Sequence, residues 1–194
     1  MFASSLHQAL LFSISTIFNV YIIIVLFRFM LQLTNNRLYN PLALFAHKAT
    51  ELALKPIHKI IPPKKNLDLA ALLLAFIMQM VELYLILLVS GVYLQAGSIG
   101  GLCIWSLGEL LDLLCVFLMF AIVIQVVASW LQPGQYNPGT AAFISITEPL
   151  LTKIRRILPN FGMLDFSPMV ALFLLYLARI IISAPIIVLG KSLI

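Results

Sequence analysis

The residues of this chain with the means to do chemistry are charged side chains inside long apolar runs, Glu82 and Arg179 above all. An ionised group near the centre of a bilayer costs about 2.5 to 3.5 kcal/mol on insertion scales, so each needs a partner. They lie 97 residues apart (179 − 82 = 97), which is the period of an internal repeat. Equivalent positions of two parallel copies share one depth. Glu82 and Arg179 are therefore expected to meet as an intramembrane charge pair. The alternative use is an ion or proton path with Glu82 as its carboxylate and Gln79, Gln125 and Arg28 nearby. Arg28 stands little more than a turn from the end of its own run, where it is expected to extend its guanidinium to the headgroups. Other chemistry is missing: the chain has no Walker loop, HExxH, CxxC or GxSxG. His7, His47 and His58 are scattered, and Cys103 and Cys115 fit neither a disulfide framework nor a zinc site. Neither an enzyme nor a bound metal or cofactor is expected.

The repeat dictates what must position these residues. Tyr39 to Pro62, YNPLALFAHKATELALKPIHKIIP, returns as Tyr136 to Pro159, YNPGTAAFISITEPLLTKIRRILP, at a constant shift of 97 with no gap (136 − 39 = 97). Asn40 meets Asn137, Pro41 Pro138, Thr50 Thr147, Glu51 Glu148 and Asp68 Asp165. A self-match at fixed offset is the mark of duplication. Hydrophobic residues make up 62% of the chain and charged ones 10%, and the mean hydropathy is +1.09. So small a globule cannot hide that apolar content, and lipid must cover it.

The expected architecture is an all-α membrane protein of four transmembrane helices. They form two parallel-orientation repeats, 1–96 and 97–194, each with a cytoplasmic interfacial amphipathic helix. Spans are expected at about Leu10 to Leu33, Leu69 to Tyr93, Leu107 to Leu131 and Ser167 to Leu189. The first lacks the marks of a cleaved signal and is expected to stay attached. Asn66 and Asp68 are candidate caps for the second span, and Ser167 with Pro168 for the fourth. Glu109 and Asp112 are expected in the first turn of the third, where acids complement the helix dipole and reach the interface. Trp105 and Trp130 bracket that span.

Between the spans, Leu42, Phe45, Ala49, Leu52, Ala53, Ile57 and Ile60 fall three or four apart, a helical stripe. Opposite them lie Lys48, Glu51, Lys55, His58 and Lys59, with Glu51 and Lys55 spaced for an ion pair. In the second copy Ile146, Leu150, Ile154 and Ile157 oppose Glu148, Arg155 and Arg156. Pro56 should kink or break the first of these helices, and Pro149 with Gly139 should make the second the poorer helix. The basic residues Lys48, Lys55, Lys59, Lys64, Lys65, Lys153, Arg155 and Arg156 are expected to face anionic lipid. Thr34 to Asp68 holds six Lys or Arg against two acids and Gln132 to Ser167 three against two, whereas the opposite side has Lys191. Positive-inside bias then puts both stretches in the cytoplasm and both termini in the periplasm. The expected partners are the bilayer and a homo-oligomer or another membrane protein. Nucleic acid is not expected, because no basic and aromatic residues interleave.

Several of these residues also carry a resemblance. Phe27-Arg28-Phe29-Met30-Leu31-Gln32, then Tyr39-Asn40-Pro41, Ala49-Thr50-Glu51 and Lys55 to Pro63 resemble the hallmark of the YggT family of small bacterial inner-membrane proteins, which has chloroplast relatives. The resemblance covers both copies and implies site positions at Arg28, Gln32, Tyr39, Asn40, Pro41, Thr50, Glu51, Pro56, Pro62, Tyr136, Asn137, Pro138, Thr147, Glu148 and Pro159. It implies no settled biochemical activity. Bacterial members are linked to osmotic shock tolerance and potassium supply, plastid ones to cytochrome assembly and nucleoid distribution. Two roles follow: a component or modulator of osmotic and cation homeostasis, or a scaffold that docks a cytoplasmic partner. The second copy departs from the pattern with Gln125 in place of Arg28 and Ser129 in place of Gln32.

Overall fold

The structure, a computed structural model, describes residues 2–34, 40–63, 67–92, 98–131, 137–158 and 165–194. The regular elements among these are helices: α1 (Phe2–Leu33), α2 (Pro41–His58), α3 (Leu69–Val89), α4 (Ile99–Leu131), α5 (Pro138–Arg155), α6 (Ser167–Ala178) and α7 (Ala184–Ser192). A π turn, Arg179–Ser183, makes α6 and α7 one continuous rod. Among the described residues, four stretches are long and apolar enough to cross a membrane: Ser5–Leu33, Leu69–Val89, Ile99–Leu131 and Ser167–Ser192. Phe12, Phe120, Phe173 and Ile181 stand well exposed on them. A helix suits such surroundings because it satisfies its own backbone where no water is at hand.

Asn40 and Asn137 start α2 and α5. Each accepts a backbone N–H two residues on, from Leu42 and Gly139, at 2.9 Å. Pro41 and Pro138 follow at the first helical position, where a missing N–H costs nothing. Pro56 does not break α2, which runs on to His58. That proline sits in the last turn and forgoes a bond to Leu52, where the helix is open to its surroundings. Pro149 and Gly139 do not shorten α5 either, and both helices have 18 residues.

The third span begins at Ile99 rather than near Leu107, and packing against α7 explains the extension. A Cβ added at Gly101 would lie 2.9 Å from the Gly190 carbonyl, one at Gly108 2.7 Å from Ile187, and one at Gly190 2.3 Å from the Trp105 nitrogen. Glycines let the two backbones approach this closely. The longer helix carries Glu109 and Asp112 out of the first turn and into its interior. The π turn also has a local cause. Pro185 has no N–H and its ring collides with the carbonyl four residues back, and the widened turn just before it absorbs the misfit.

Corresponding residues of the two halves build corresponding cores. Val25, Leu54 and Leu74 pack together among α1, α2 and α3, and Ile122, Leu151 and Ala171 among α4, α5 and α6. Each of these pairs is 97 residues apart. The halves join where Phe27, Ala43, Ala46, Phe117, Ala142 and Ile146 meet, with Phe27 edge-on to Phe117 at 6.1 Å and beside Phe143 at 5.4 Å. There α2 touches α5, and α1 touches α4 and α5.

Candidate functional site

Glu82 and Arg179 do not meet. Arg179 Nε and Nη2 donate to the two oxygens of Asp112, each at 2.8 Å, a bidentate pair between the π turn and α4. Glu82, 3% exposed, accepts from Gln79 Nε2 at 3.0 Å on its own helix and from Asn19 Nδ2 at 3.3 Å on α1. Among the described residues α3 and α6 share no contact. α3 packs on α1 and α4, and the π turn after α6 packs on α4, so Glu82 finds Asn19 on α1 and Arg179 finds Asp112 on α4. Equal depth left the direction around the helix undetermined. Glu82 is therefore a buried acid with amide partners and no Lys, Arg or His in hydrogen-bonding contact among the described residues.

Arg28 also departs from expectation. It turns inward, 9% exposed, and Nη1 donates to Thr50 Oγ1 at 2.9 Å and to the His47 carbonyl at 3.3 Å. Its Nε is buried without a partner. Because α2 packs on α1, the guanidinium finds its acceptors within the protein. Thr50 in turn donates to the Ala46 carbonyl at 2.7 Å. In the second half Thr147 hydrogen-bonds Gln125 and donates to the Phe143 carbonyl at 2.9 Å. Gln125 and Thr147 stand 97 residues beyond Arg28 and Thr50. In both halves a buried threonine thus ties the short helix to the preceding span. Gln125 is no closer to Glu82 for this, since it belongs to the second half.

A second tie recurs at the other end of the short helices. His58 Nε2 reaches Asp68 Oδ1 and Oδ2 at 3.0 and 3.1 Å, and Arg155 Nε reaches Asp165 Oδ2 at 2.9 Å. These pairs too are 97 apart. Asp68 also caps α3 by accepting from Ala71 N. Ser167 is the first helical residue of α6 rather than its cap, Pro168 stands in the first turn as expected, and the Ser167 N–H is met at 2.9 Å by Asp165. Burial works against the Asp165 carboxylate, but hydrogen bonds from Ser167 and Arg155 hold it below the ordinary carboxyl value. Arg155 is not a free lipid-facing cation, being bound also to Glu148 at 2.6 Å. Burial, with the charge of Arg28 added, holds the His47 imidazole below its ordinary value.

The remaining expected positions divide plainly. Lys48, Lys55, Lys59, Lys153 and Arg156 are exposed, as is Pro62. Glu51 leans toward His47 at 3.9 Å rather than toward Lys55. Gln32 is half-buried on α1. Tyr39, Lys64, Lys65, Asn66, Tyr136 and Pro159 lie outside the described residues. Sequence reasoning missed Asn19, the Asp112–Arg179 pair and Glu109, whose Oε1 accepts from Trp105 Nε1 at 2.8 Å. Lys191 covers the same indole, 4.8 Å from its centroid. Asn19 was legible as a polar residue inside an apolar run, but Val116 stands at the matching position of the second copy. No group of three or more potential metal-ligating His, Cys, Asp or Glu occurs among the described residues.

Four apolar spans, short helices bound across their ends and charges settled inside them define a multi-pass α-helical membrane protein. The chain belongs to the CCB3/YggT family, whose pattern matches residues 7–89 and again 104–186. An uncharacterised protein of Pseudomonas aeruginosa is 41% identical over 91% of this chain and 89% of its own length. One of Haemophilus influenzae is 38% identical over 88% of each. The uncharacterised protein YggT of Escherichia coli K12 is 31% identical over 87% of this chain and 86% of its own. These relatives carry no enzymatic name. No solved structure matches.

Proposed function

We propose that this is a non-enzymatic inner-membrane component of osmotic and cation homeostasis, with potassium the cation, acting as part of a transport system or as its modulator. One observation carries the reading: in each half a polar side chain of the first span, Arg28 or Gln125, is hydrogen-bonded to a buried threonine of the short helix, Thr50 or Thr147. A helix lying in the headgroup layer responds to lateral pressure and surface charge. One tied to the spans through their interior passes that response on to them. In this reading α2 and α5 face the cytoplasm and both termini the periplasm, as the excess of Lys and Arg between the spans favours. The exposed Lys48, Lys55 and Lys59 suit an anionic surface.

A scaffold role has one observation in its favour, Leu52, which stands 87% exposed between Lys48 and Lys55. Potassium flux separates the two readings. Whole protein in liposomes of anionic lipid should pass potassium faster after a hypo-osmotic step, or should change that flux through a co-reconstituted potassium transporter. Thr50→Val with Thr147→Val should remove the response to the step. Flux equal to empty liposomes in both settings would overturn homeostasis in favour of docking.

A further inference from the structure

Glu82 is a buried acid with no cation in hydrogen-bonding contact among the described residues. It sits deep in α3, 3% exposed, and both of its partners are carboxamide N–H groups. The charge that bears on it most is Glu109 on α4, a second acid. From α1 it faces Asn19, and α2 packs at the far end of α3, where it brings His58 to Asp68. Arg179, the cation expected here, is taken up by both oxygens of Asp112. A second observation stands apart from the carboxylate. Gln79, 2% exposed, has its Oε1 buried without a hydrogen-bond partner, although its Nε2 is bound to Glu82. A buried acceptor left idle beside an acid has an evident use, since it can receive an acid proton.

We propose that Glu82 is a proton-binding site inside the span, with Asn19 and Gln79 holding it in both protonation states. As a carboxylate it accepts from the two amides, as seen. When it takes a proton on one oxygen, the new O–H needs an acceptor, and the Gln79 carboxamide supplies Oε1 by turning about its terminal bond. The proton leaves by the reverse step. A metal cation fits less well, because the amides direct N–H groups at the site. A dehydrated potassium ion is instead held by rings of carbonyl oxygens. Glu109, with Trp105 and Lys191 beyond it toward the carboxy-terminal end of the chain, continues the polar line away from Glu82. The site rests on the homeostasis reading for its purpose, to which it adds the proton as the coupled ion.

Infrared difference spectra of the whole protein in phospholipid nanodiscs, taken between high and low pH, test it. A carbonyl band of a protonated, hydrogen-bonded carboxylic acid should appear on acidification and be lost in Glu82→Gln. Asn19→Leu and Gln79→Leu should keep the band but move it to higher frequency, because a carboxyl with fewer hydrogen bonds has a stiffer C=O. Exchanging potassium for sodium or N-methylglucamine should leave the band in place. A band that survives Glu82→Gln, or one that potassium displaces, would overturn the proposal. Should Glu82→Gln not fold, an unmoved band in both Asn19→Leu and Gln79→Leu would do so. The spectra need no flux, so silent liposomes with the band present would sink the homeostasis reading and leave this site standing.

Discussion

The two halves of the chain share a frame and settle their charges in opposite ways. In the second half Arg179 meets Asp112 in a bidentate pair, and Arg155 binds Glu148 and Asp165. Its corresponding tie, Gln125 to Thr147, is neutral. In the first half the same places hold a guanidinium with neutral acceptors, Arg28 on Thr50, and an acid with amide donors, Glu82. The second half pairs its span arginine with a carboxylate, a closed arrangement, whereas the first leaves Arg28 and Glu82 open, with no counter-charge in hydrogen-bonding contact among the described residues. A stable bundle alone would favour the closed arrangement, because an uncompensated buried charge is costly.

The comparison breaks most severely at the seam found in the second half. Gly190→Leu should cost about 3 kcal/mol, since added atoms meet the Trp105 backbone and overpacking is expensive. Thermal unfolding in detergent should show it, and an unchanged midpoint would mean that α4 and α7 do not pack at backbone distance.

Next come the threonine ties. Thr50→Val should cost about 2 kcal/mol, because it takes an acceptor from a charged donor, and Thr147→Val about 1 kcal/mol, because its partner is neutral. Equal losses would remove the electrical distinction drawn between the halves.

A smaller effect attaches to Asp165. Its folded value lies below the ordinary 3.8, so it stabilises the protein at pH above that value, and the gain is lost as pH falls through the folded value. Asp165→Asn should flatten this acid limb by less than about 1 kcal/mol, the pair being partly exposed.

The smallest concerns His47, whose folded value is depressed below the ordinary 6.5. Within that window the unfolded chain binds the proton better, so stability should decline slightly as pH drops through it. His47→Gln should remove the decline, and a decline that persists would assign it to another group.

Much of this frame was legible in the chain. Apolar runs of about 20 residues announce spans, and Asn40-Pro41 and Asn137-Pro138 announce the starts of α2 and α5 by cap and first-turn chemistry. Partner identity could not be read from the sequence. A repeat places Glu82 and Arg179 at one level and says nothing of which neighbour each faces, and that depends on α3 packing on α1 and α6 on α4. The early start of α4 was hidden because Gly100 and Gly101 are poor helix formers, and only the packing of α7 against Gly101 explains their place in the helix. Arg28 looked free to reach the headgroups because its acceptor, Thr50, lies 22 residues on in a helix whose crossing no periodicity reveals.

The central claim is that each half resolves its own charges and leaves Glu82 without a counter-charge from the chain. A pair of double-mutant cycles on folded yield and unfolding midpoint tests it most directly. Asp112→Asn and Arg179→Gln should each cost about 3 kcal/mol, the cost of one unpaired charge inside a span, and the double variant much less, because it leaves neither charge without its partner. Glu82→Gln combined with Arg179→Gln should show plain additivity. Rescue in the second cycle and additivity in the first would contradict the account, for Arg179 would then answer Glu82 and the first half would hold no open acid.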